Sequence, residues 1–272
     1  MQYIKSTQLL QDRIVWVVEI DNKFSYEKSL ILSKVSEAIC PATQGNHVGE
    51  GATLDAFLER QQGVRFIING GYNHYRKNFY DWQHQNFNVG DPVGLVKIRE
   101  HYFEDAPDLT NYGFFVQKKK NGPWDITTKD FLSKNEKYIL GCTPLLILNG
   151  KEIKLPFENM IPYPAGKINP PSILGHGLQS HPRTAVGIKN KSIVFVVVEG
   201  DDHSGGCSLK ELQELGLKLE LNSFLNLDGG GSSQFRLRDG NSWVCNYVSD
   251  ADRDRVLGNV IVLFEDQLKI KP

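Results

Sequence analysis

Cysteine is scarce in this chain: Cys40, Cys142, Cys207 and Cys245 are the only four in 272 residues, far apart and without a CxxC pair. Neither a zinc knuckle nor a thioredoxin-like motif fits that spacing. Two disulfides are arithmetically open, but buried free thiols suit a chain long enough to form a real core. Long apolar runs are missing too, with nothing near the roughly 18 residues that a membrane-spanning helix needs. The N-terminal stretch has no cationic start followed by a long apolar run, because Asp12 and Arg13 interrupt it before Ile14-Val15-Trp16-Val17-Val18, which reads as a strand. The location expected from the sequence as it stands is the cytoplasm, with release by lysis or a removed leader as the other routes. Charge of one sign is also absent: a formal net charge of −1 leaves no electrostatic footprint for nucleic acid or an anionic membrane. No internal repeat and no second hydrophobic pattern divides the halves, so a single domain over 1–272 is expected. Oligomeric state is not legible.

What is present is strand-rich and ordinary in composition, 40% hydrophobic and 23% charged. Residues 14–20 and Ser29 to Ser33 read as strands. Leu54, Phe57, Leu58 and Gln61 share one helical face, with Thr53 as N-cap and Gly63 as the stop. Val64 to Ile68, Pro92 to Ile98, Tyr112 to Lys118, Thr143 to Lys151, Ala185 to Ile188 and Ser192 to Val198 follow as strands, the last apolar on both faces. Ser208 and Glu211 have capping-box spacing, and Leu209, Leu212 and Leu215 line a helix that Gly216 is expected to end. Between these lie an aromatic and amide-rich stretch, Asn73 to Asn88, and a Pro- and Gly-rich one, Pro156 to Gly177. The first is either a substrate-covering loop or a surface loop with aromatic anchors; the second reads as a long ordered loop or lid.

Three strand ends share one design. Val64–Ile68 delivers Asn69 and then Gly70-Gly71; Ser192–Val198 delivers Glu199 and Gly200, with Asp201, Asp202 and His203 behind; Leu225-Asn226-Leu227 delivers Asp228, then Gly229-Gly230-Gly231-Ser232-Ser233. Three consecutive glycines are costly in backbone entropy and are kept where the chain needs φ > 0 or close approach. Their N–H groups can form an anion-binding concavity, although a plain Gly-rich hairpin also accounts for them. If the three ends meet, one pocket results, with carboxylates from Asp228 and Glu199, cationic or hydrogen-bonding groups from His181 and Arg183, and N–H donors from the glycine turns. Each residue also has a structural reading: Asp228 or Asn69 capping its own turn, His181 bonding a loop, Arg183 pairing with an acid.

Competing motifs fail at the same residues. The triple glycine lacks the lysine of a phosphate-binding loop and does not open the first helix of a βαβ unit. Asp202-His203-Ser204-Gly205-Gly206 lacks the first glycine of a nucleophile elbow. Asp250, Asp252 and Asp254 begin like a calcium loop, but Arg255 and Ile261 stand where glycine and glutamate are required. No cofactor is called for, and an irregular divalent-cation site remains open.

Taken in order, Ile68-Asn69-Gly70-Gly71-Tyr72, Gly141-Cys142-Thr143-Pro144-Leu145 with Asn149-Gly150, His181-Pro182-Arg183-Thr184-Ala185-Val186-Gly187, Asn226-Leu227-Asp228-Gly229-Gly230-Gly231-Ser232-Ser233, and Asp254-Arg255 with Gly258-Asn259 resemble the phosphodiester glycosidase family. The blocks span about residues 50–264 in the family's order. The resemblance implies an α+β fold of mixed strands and a few helices around one pocket. It also implies hydrolysis of an α-linked sugar 1-phosphodiester, such as an N-acetylglucosamine 1-phosphodiester, to free sugar and phosphomonoester, in a family that includes proteins linked to exopolysaccharides. Asn69, Gly70, Arg183, Thr184, Asp228, Gly229, Gly230, Ser232, Ser233 and Arg255 match its motifs. One departure stands out: Glu199-Gly200-Asp201 replaces the usual Asp-Gly-Arg.

The chemistry follows separately from the residues. Phosphate leaves C1 as an anion and needs less proton donation than an alcohol would, so Arg183, with Arg255 and backbone N–H groups, can stabilise it. A carboxylate must still activate water or attack C1; Asp228 is expected there, with Glu199 as its partner or as general acid/base. Asn69, Gly70, His181, Thr184, Gly229, Gly230, Ser232, Ser233 and Arg255 are expected to bind substrate. The other class of function is a glycan-binding or assembly module on the same fold, which would bind without turnover.

Overall fold

The structure is a computed structural model that describes residues 1–21, 30–34, 53–73, 92–105, 112–117, 122–133, 135–155, 179–200, 205–246 and 257–265. These residues form seventeen strands in three sheets, with two α-helices. The first sheet has the order β1 (Gln2–Leu10), β2 (Arg13–Asp21), β13 (Ser192–Val198), β12 (Arg183–Lys189), β14 (Ser223–Asn226), β10 (Leu145–Leu148) and β11 (Lys151–Glu152). The second runs β16 (Ser242–Cys245), β15 (Phe235–Asp239), β4 (Val64–Asn69), β17 (Asn259–Phe264) and β3 (Leu30–Lys34). The third runs β6 (His101–Asp105), β5 (Gly94–Ile98), β9 (Tyr138–Cys142), β7 (Gly113–Gln117) and β8 (Trp124–Thr127).

The alternation of side chains along a strand explains how three sheets share one core. Trp16, Val18 and Ile20 of β2, Phe195 and Val197 of β13, Phe66 and Ile68 of β4, Ile261 and Leu263 of β17, Val96 of β5 and Leu140 of β9 all point into the same central cluster. Their odd-numbered or even-numbered neighbours point away: Val15 and Val17, with Val194, Val196 and Val198, meet Leu209, Leu212 and Leu215 of the Leu209–Lys218 helix. Val64, Ile67, Val260 and Val262 likewise meet Leu54 and Phe57 of the Leu54–Arg60 helix. The central strands of the first sheet, β2, β13, β12 and β14, are thus buried on both faces, as the all-apolar run of β13 requires.

The expected mixed sheet is replaced by antiparallel pairing throughout the described residues. The strand-rich, helix-poor part of the expectation holds. β1, β6, β8, β9, β11, β15, β16 and β17 were not expected from pattern; of these β1 and β16 are largely exposed and carry no apolar stripe. Both helix caps form as expected, with Ala56 N donating to Thr53 Oγ1 and a complete Ser208–Glu211 capping box. Gly216 does not end its helix, which continues to Lys218. A Cβ at Gly216 would lie 2.5 Å from Phe224 Cδ1, so this glycine lets the helix press onto β14. No helix among the described residues is long and apolar enough to cross a membrane. Cys142 and Cys207 are buried free thiols and Cys245 is an exposed one.

Candidate active site

Strand ends from all three sheets meet at one point: the C-terminal ends of β4, β9 and β14 and the N-terminal ends of β5, β12 and β17. The junction is made by buried amides. Asn69 is fully buried, a costly place for a polar side chain unless every donor and acceptor is used. Its Nδ2 donates to Asp228 O at 2.8 Å, while its Oδ1 accepts from Thr184 Oγ1 at 2.9 Å and Gln234 N at 3.2 Å. One amide therefore ties β4 to β12 and to both flanks of the triple glycine. The backbone repeats the connection, with Asp228 N donating to Gly70 O and Leu227 N to Thr184 O.

Gly70 is required by close approach. A Cβ there would stand 2.0 Å from Asn259 Oδ1, the atom that accepts from Gly71 N at 2.8 Å. Asn259 O, which accepts from Gly70 N at 3.0 Å, and the Asn259 side chain therefore seat the start of β17 against the end of β4. On the other side, Tyr72 OH donates to Thr143 O at 3.0 Å and accepts from Asn226 Nδ2 at 2.9 Å; that same nitrogen also donates to Thr143 O. The Thr143-Pro144 peptide bond beside them is cis. Asn226 Oδ1, Ser233 Oγ and Asn259 Nδ2 are buried around this junction with no hydrogen-bond partner among the described residues.

Asp228 is half-buried at the head of the glycine turn. Burial, then the nearby Cys142 thiol and the Asp228 carboxylate, push the Tyr72 phenol well above its ordinary range. Burial likewise pushes the Cys142 thiol up, with Asp228 adding to the effect. Both groups stay protonated at neutral pH and present neutral surfaces to the carboxylate.

Arg183 is buried at the entrance of β12, with Nε donating to Cys207 O and Nη2 to Gln179 O, both at 2.9 Å. A Cβ at Gly229 would lie 3.9 Å from Arg183 Nη1, so the guanidinium edge faces the glycine turn. Burial lowers the Arg183 pKa. The guanidinium remains charged all the same, because arginine starts so high.

The glycine turn itself differs from expectation. Gly230 N donates to Pro182 O at 2.8 Å, Ser232 N to Gly229 O and Ser233 N to Gly230 O, forming a 3-10 turn with Gly230 at φ 59°. These three N–H groups are used inside the protein and are not anion donors. Ser232 and Ser233 are buried, with Ser233 O accepting from Asn246 Nδ2.

Glu199 and His181 sit differently. Glu199 Oε1 accepts from Trp16 Nε1 at 2.6 Å, and Glu199 N donates to Ile14 O, so this strand end is tied to β2. His181 pairs backbone to backbone with Cys207, and its Nε2 lies 3.1 Å from Gln179 Oε1. Arg255, Asp201, Asp202 and His203, the stretch from His74 to Asn88 and the stretch from Pro156 to Gly177 lie outside the described residues. So do Cys40 and the acidic series Asp250, Asp252 and Asp254. Among the described residues no cluster of His, Cys, Asp or Glu could hold a metal ion. Tyr72, Cys142, Thr143, Asn226 and Asn259 were not singled out as site residues by sequence reasoning, although every one lies inside a motif block.

Residues 62–264 match the family model described as phosphodiester glycosidase. A stretch of 75 residues is 39% identical to N-acetylglucosamine-1-phosphodiester alpha-N-acetylglucosaminidase of Bos taurus, covering 27% of this chain and 14% of the bovine protein. The fold resembles the catalytic domain of the zebrafish protein of the same name, with a TM-score of 0.66 at 15% identity over 97% of this chain and 82% of that one. It also resembles a Burkholderia pseudomallei protein, with a TM-score of 0.59 at 15% identity over 93% of this chain and 74% of that one. With three quarters of its length inside the matched model, the chain belongs to the phosphodiester glycosidase family.

Proposed function

We propose that this chain, acting as one domain over 1–272, hydrolyses the bond between sugar C1 and the phosphate oxygen of an α-linked sugar 1-phosphodiester. An N-acetylglucosamine 1-phosphodiester is the substrate suggested by the bovine and zebrafish relatives. The observation that carries the reading is the Asn69–Asp228 junction, which holds a half-buried carboxylate at the head of a glycine turn faced by a buried arginine. Such an arrangement is pre-organised: the neighbours are locked by buried hydrogen bonds before substrate arrives.

In this reading Asp228 acts at C1, either by activating water or by attack through an oxocarbenium-like transition state. Water oxygen ends on C1, its proton completes the phosphomonoester, and the bond to the phosphate oxygen breaks. Arg183 takes the charge that develops on the leaving phosphate by charge-assisted hydrogen bonding. Asn69, Gly70 and Thr184 position Asp228 and the turn, and Gly229 keeps the path between Asp228 and Arg183 clear of a side chain. Glu199, engaged by Trp16, supports the entrance of β12 from the paired strand, since Arg183 stands opposite Val198.

The departure at Glu199-Gly200-Asp201 favours keeping a second reading, a glycan-binding module without turnover. The test is to follow an α-N-acetylglucosaminyl 1-phosphodiester by NMR with purified protein, with and without EDTA, beside Asp228→Asn. Free N-acetylglucosamine and a phosphomonoester, lost in the variant, support the hydrolase. Binding by both proteins without consumption replaces it with the binding module.

A further inference from the structure

Two features of the chain take no part in the chemistry above: the glycines Gly200 and Gly206, and the capping box at the start of the Leu209–Lys218 helix. Both lead to Arg183. Gly206 has φ 79°, and a Cβ there would stand 1.9 Å from His181 O. A Cβ on Gly200 would stand 2.1 Å from Gly206 N. Glycine at both places lets Gly206 come back beside the end of β13 and against His181, two residues before Arg183. Cys207 then pairs with His181 in both directions, Cys207 N donating to His181 O at 2.9 Å and His181 N to Cys207 O at 3.2 Å. That same Cys207 O accepts from Arg183 Nε.

A guanidinium is a planar fork, so two fixed partners set the direction of its remaining edge. Cys207 O and Gln179 O are two such partners for Arg183, and the edge they set faces Gly229. The place of Cys207 O depends in turn on the helix cap that follows it. Ser208 N and Oγ donate to Glu211 Oε2 at 2.8 and 2.9 Å, and Glu211 N donates to Ser208 Oγ at 3.2 Å. Glu211 also has a partner that capping does not need: Arg13 Nη1, at the start of β2, donates to its Oε1. Val198, at the end of β13, stands between Val15 of β2 and Arg183 of β12. The helix start is thus held from both neighbours of β13, by Arg13 through Glu211 and by Arg183 through Cys207. Cys207 and Leu209, on either side of Ser208, are buried in one cluster with Ala185 and Val198, so the cap cannot shift without moving Cys207.

We infer that Glu211 is a positioning residue for Arg183: it fixes the start of the helix, and with it the Cys207 carbonyl that aims the guanidinium at the substrate phosphate. The aim at phosphate rests on the reading of Arg183 given above; the hold on the guanidinium does not. Glu211 acts only through Arg183.

The experiment uses the full chain and two readouts. The first is the Arg183 Nε–H signal in nitrogen–proton NMR spectra, identified by its absence from Arg183→Lys. Its solvent exchange should be at least about tenfold faster in Glu211→Ala than in the wild type, because the bond to Cys207 O opens more often. Glu211→Gln, which keeps an acceptor for the capping box, should recover most of the protection. The second readout is affinity for methyl phosphate, a phosphomonoester with no sugar to release, in a double-mutant cycle. Glu211→Ala should weaken binding about fivefold when Arg183 is present and less than about twofold in the Arg183→Lys background, which keeps a charge but has no Nε–H to be held. Amide shifts away from the helix start verify that each variant stays folded. A cap that serves the helix alone would leave the Arg183 signal unchanged or weaken methyl phosphate equally in both backgrounds. Either result, or no saturable binding of methyl phosphate by the wild type, would overturn the inference. Neither readout involves hydrolysis: product release with an unmoved Arg183 signal rejects the positioning role alone, and the expected NMR changes without product release reject the glycosidase reading alone.

Discussion

The ends of β4 and β13 look alike in sequence, each an apolar strand delivering one polar residue and then glycine, yet they do different work in the fold. Asn69 at the end of β4 faces inward, is fully buried, and bonds directly to the Asp228 backbone, to Thr184 and to Gln234. Glu199 at the end of β13 is half-buried and is held by the Trp16 indole on β2. The difference comes from sheet order. β13 lies between β12 and β2, and its end is shared between Arg183 on one side and Val15 on the other. β4 lies in another sheet, and its end crosses to the strand that carries Asp228. A polar residue at a strand end is therefore a candidate for the site, and the neighbouring strands decide whether it reaches it.

The largest expected effect separates these two ends by activity. Asp228→Asn should lower kcat/KM on an α-N-acetylglucosaminyl 1-phosphodiester by about a thousandfold or more, the scale of losing a carboxylate that acts in the transition state. Glu199→Gln should lower it by less than about tenfold, because the side-chain amide keeps an acceptor for Trp16. Steady-state kinetics on both variants checks the pair, and equal losses would place Glu199 in the chemistry alongside Asp228.

Stability should separate them next. Asn69→Ala removes its bonds to Thr184 Oγ1, Gln234 N and Asp228 O and should cost about 3 kcal/mol or more in urea denaturation. Gly70→Ala, whose Cβ would stand 2.0 Å from Asn259 Oδ1, should cost a few kcal/mol by forcing β17 away. Glu199→Gln should cost no more than about 1 kcal/mol, since one acceptor is retained.

The smallest effect concerns the first turn of the Leu209–Lys218 helix. Partial burial opposes ionisation of Glu211, but hydrogen bonds from Arg13 and Ser208 outweigh it and hold its carboxyl below the usual glutamate range. A depressed folded-state pKa contributes stability above the unfolded value, which is lost as pH falls through the folded one. Wild-type stability should therefore drop more steeply than that of Glu211→Gln as pH falls below the ordinary glutamate range. Parallel urea titrations across that range check the sign.

Much of the local structure was legible because it rests on local rules. Thr53 and Ser208 cap their helices, and β13 reads as buried on both faces. Asn149-Gly150 turns back with φ of 53° and 74°. Asn69, Arg183, Thr184 and Asp228 were readable as a group because glycines and polar residues at strand ends are poorly explained by packing. Tyr72, Asn226 and Asn259 were missed as individuals, since their importance lies in contacts between sheets that no periodicity encodes. Gly216 was misread for the same reason: its glycine serves contact with Phe224, not helix termination. The N–H donor role expected of the glycine turn does not extend to Gly230, whose N–H goes to Pro182 O, and the N–H groups of Ser232 and Ser233 are taken by the 3-10 turn.

The most direct measurement of the central claim is hydrolysis of an α-N-acetylglucosaminyl 1-phosphodiester in water carrying a heavy-oxygen label, followed by mass analysis of both products. Label in the free sugar, absent from the phosphomonoester and lost with Asp228→Asn, is the result expected of attack at C1. Label in the phosphate, with sugar 1-phosphate as the product, would contradict it and make the chain a phosphodiesterase that cuts P–O.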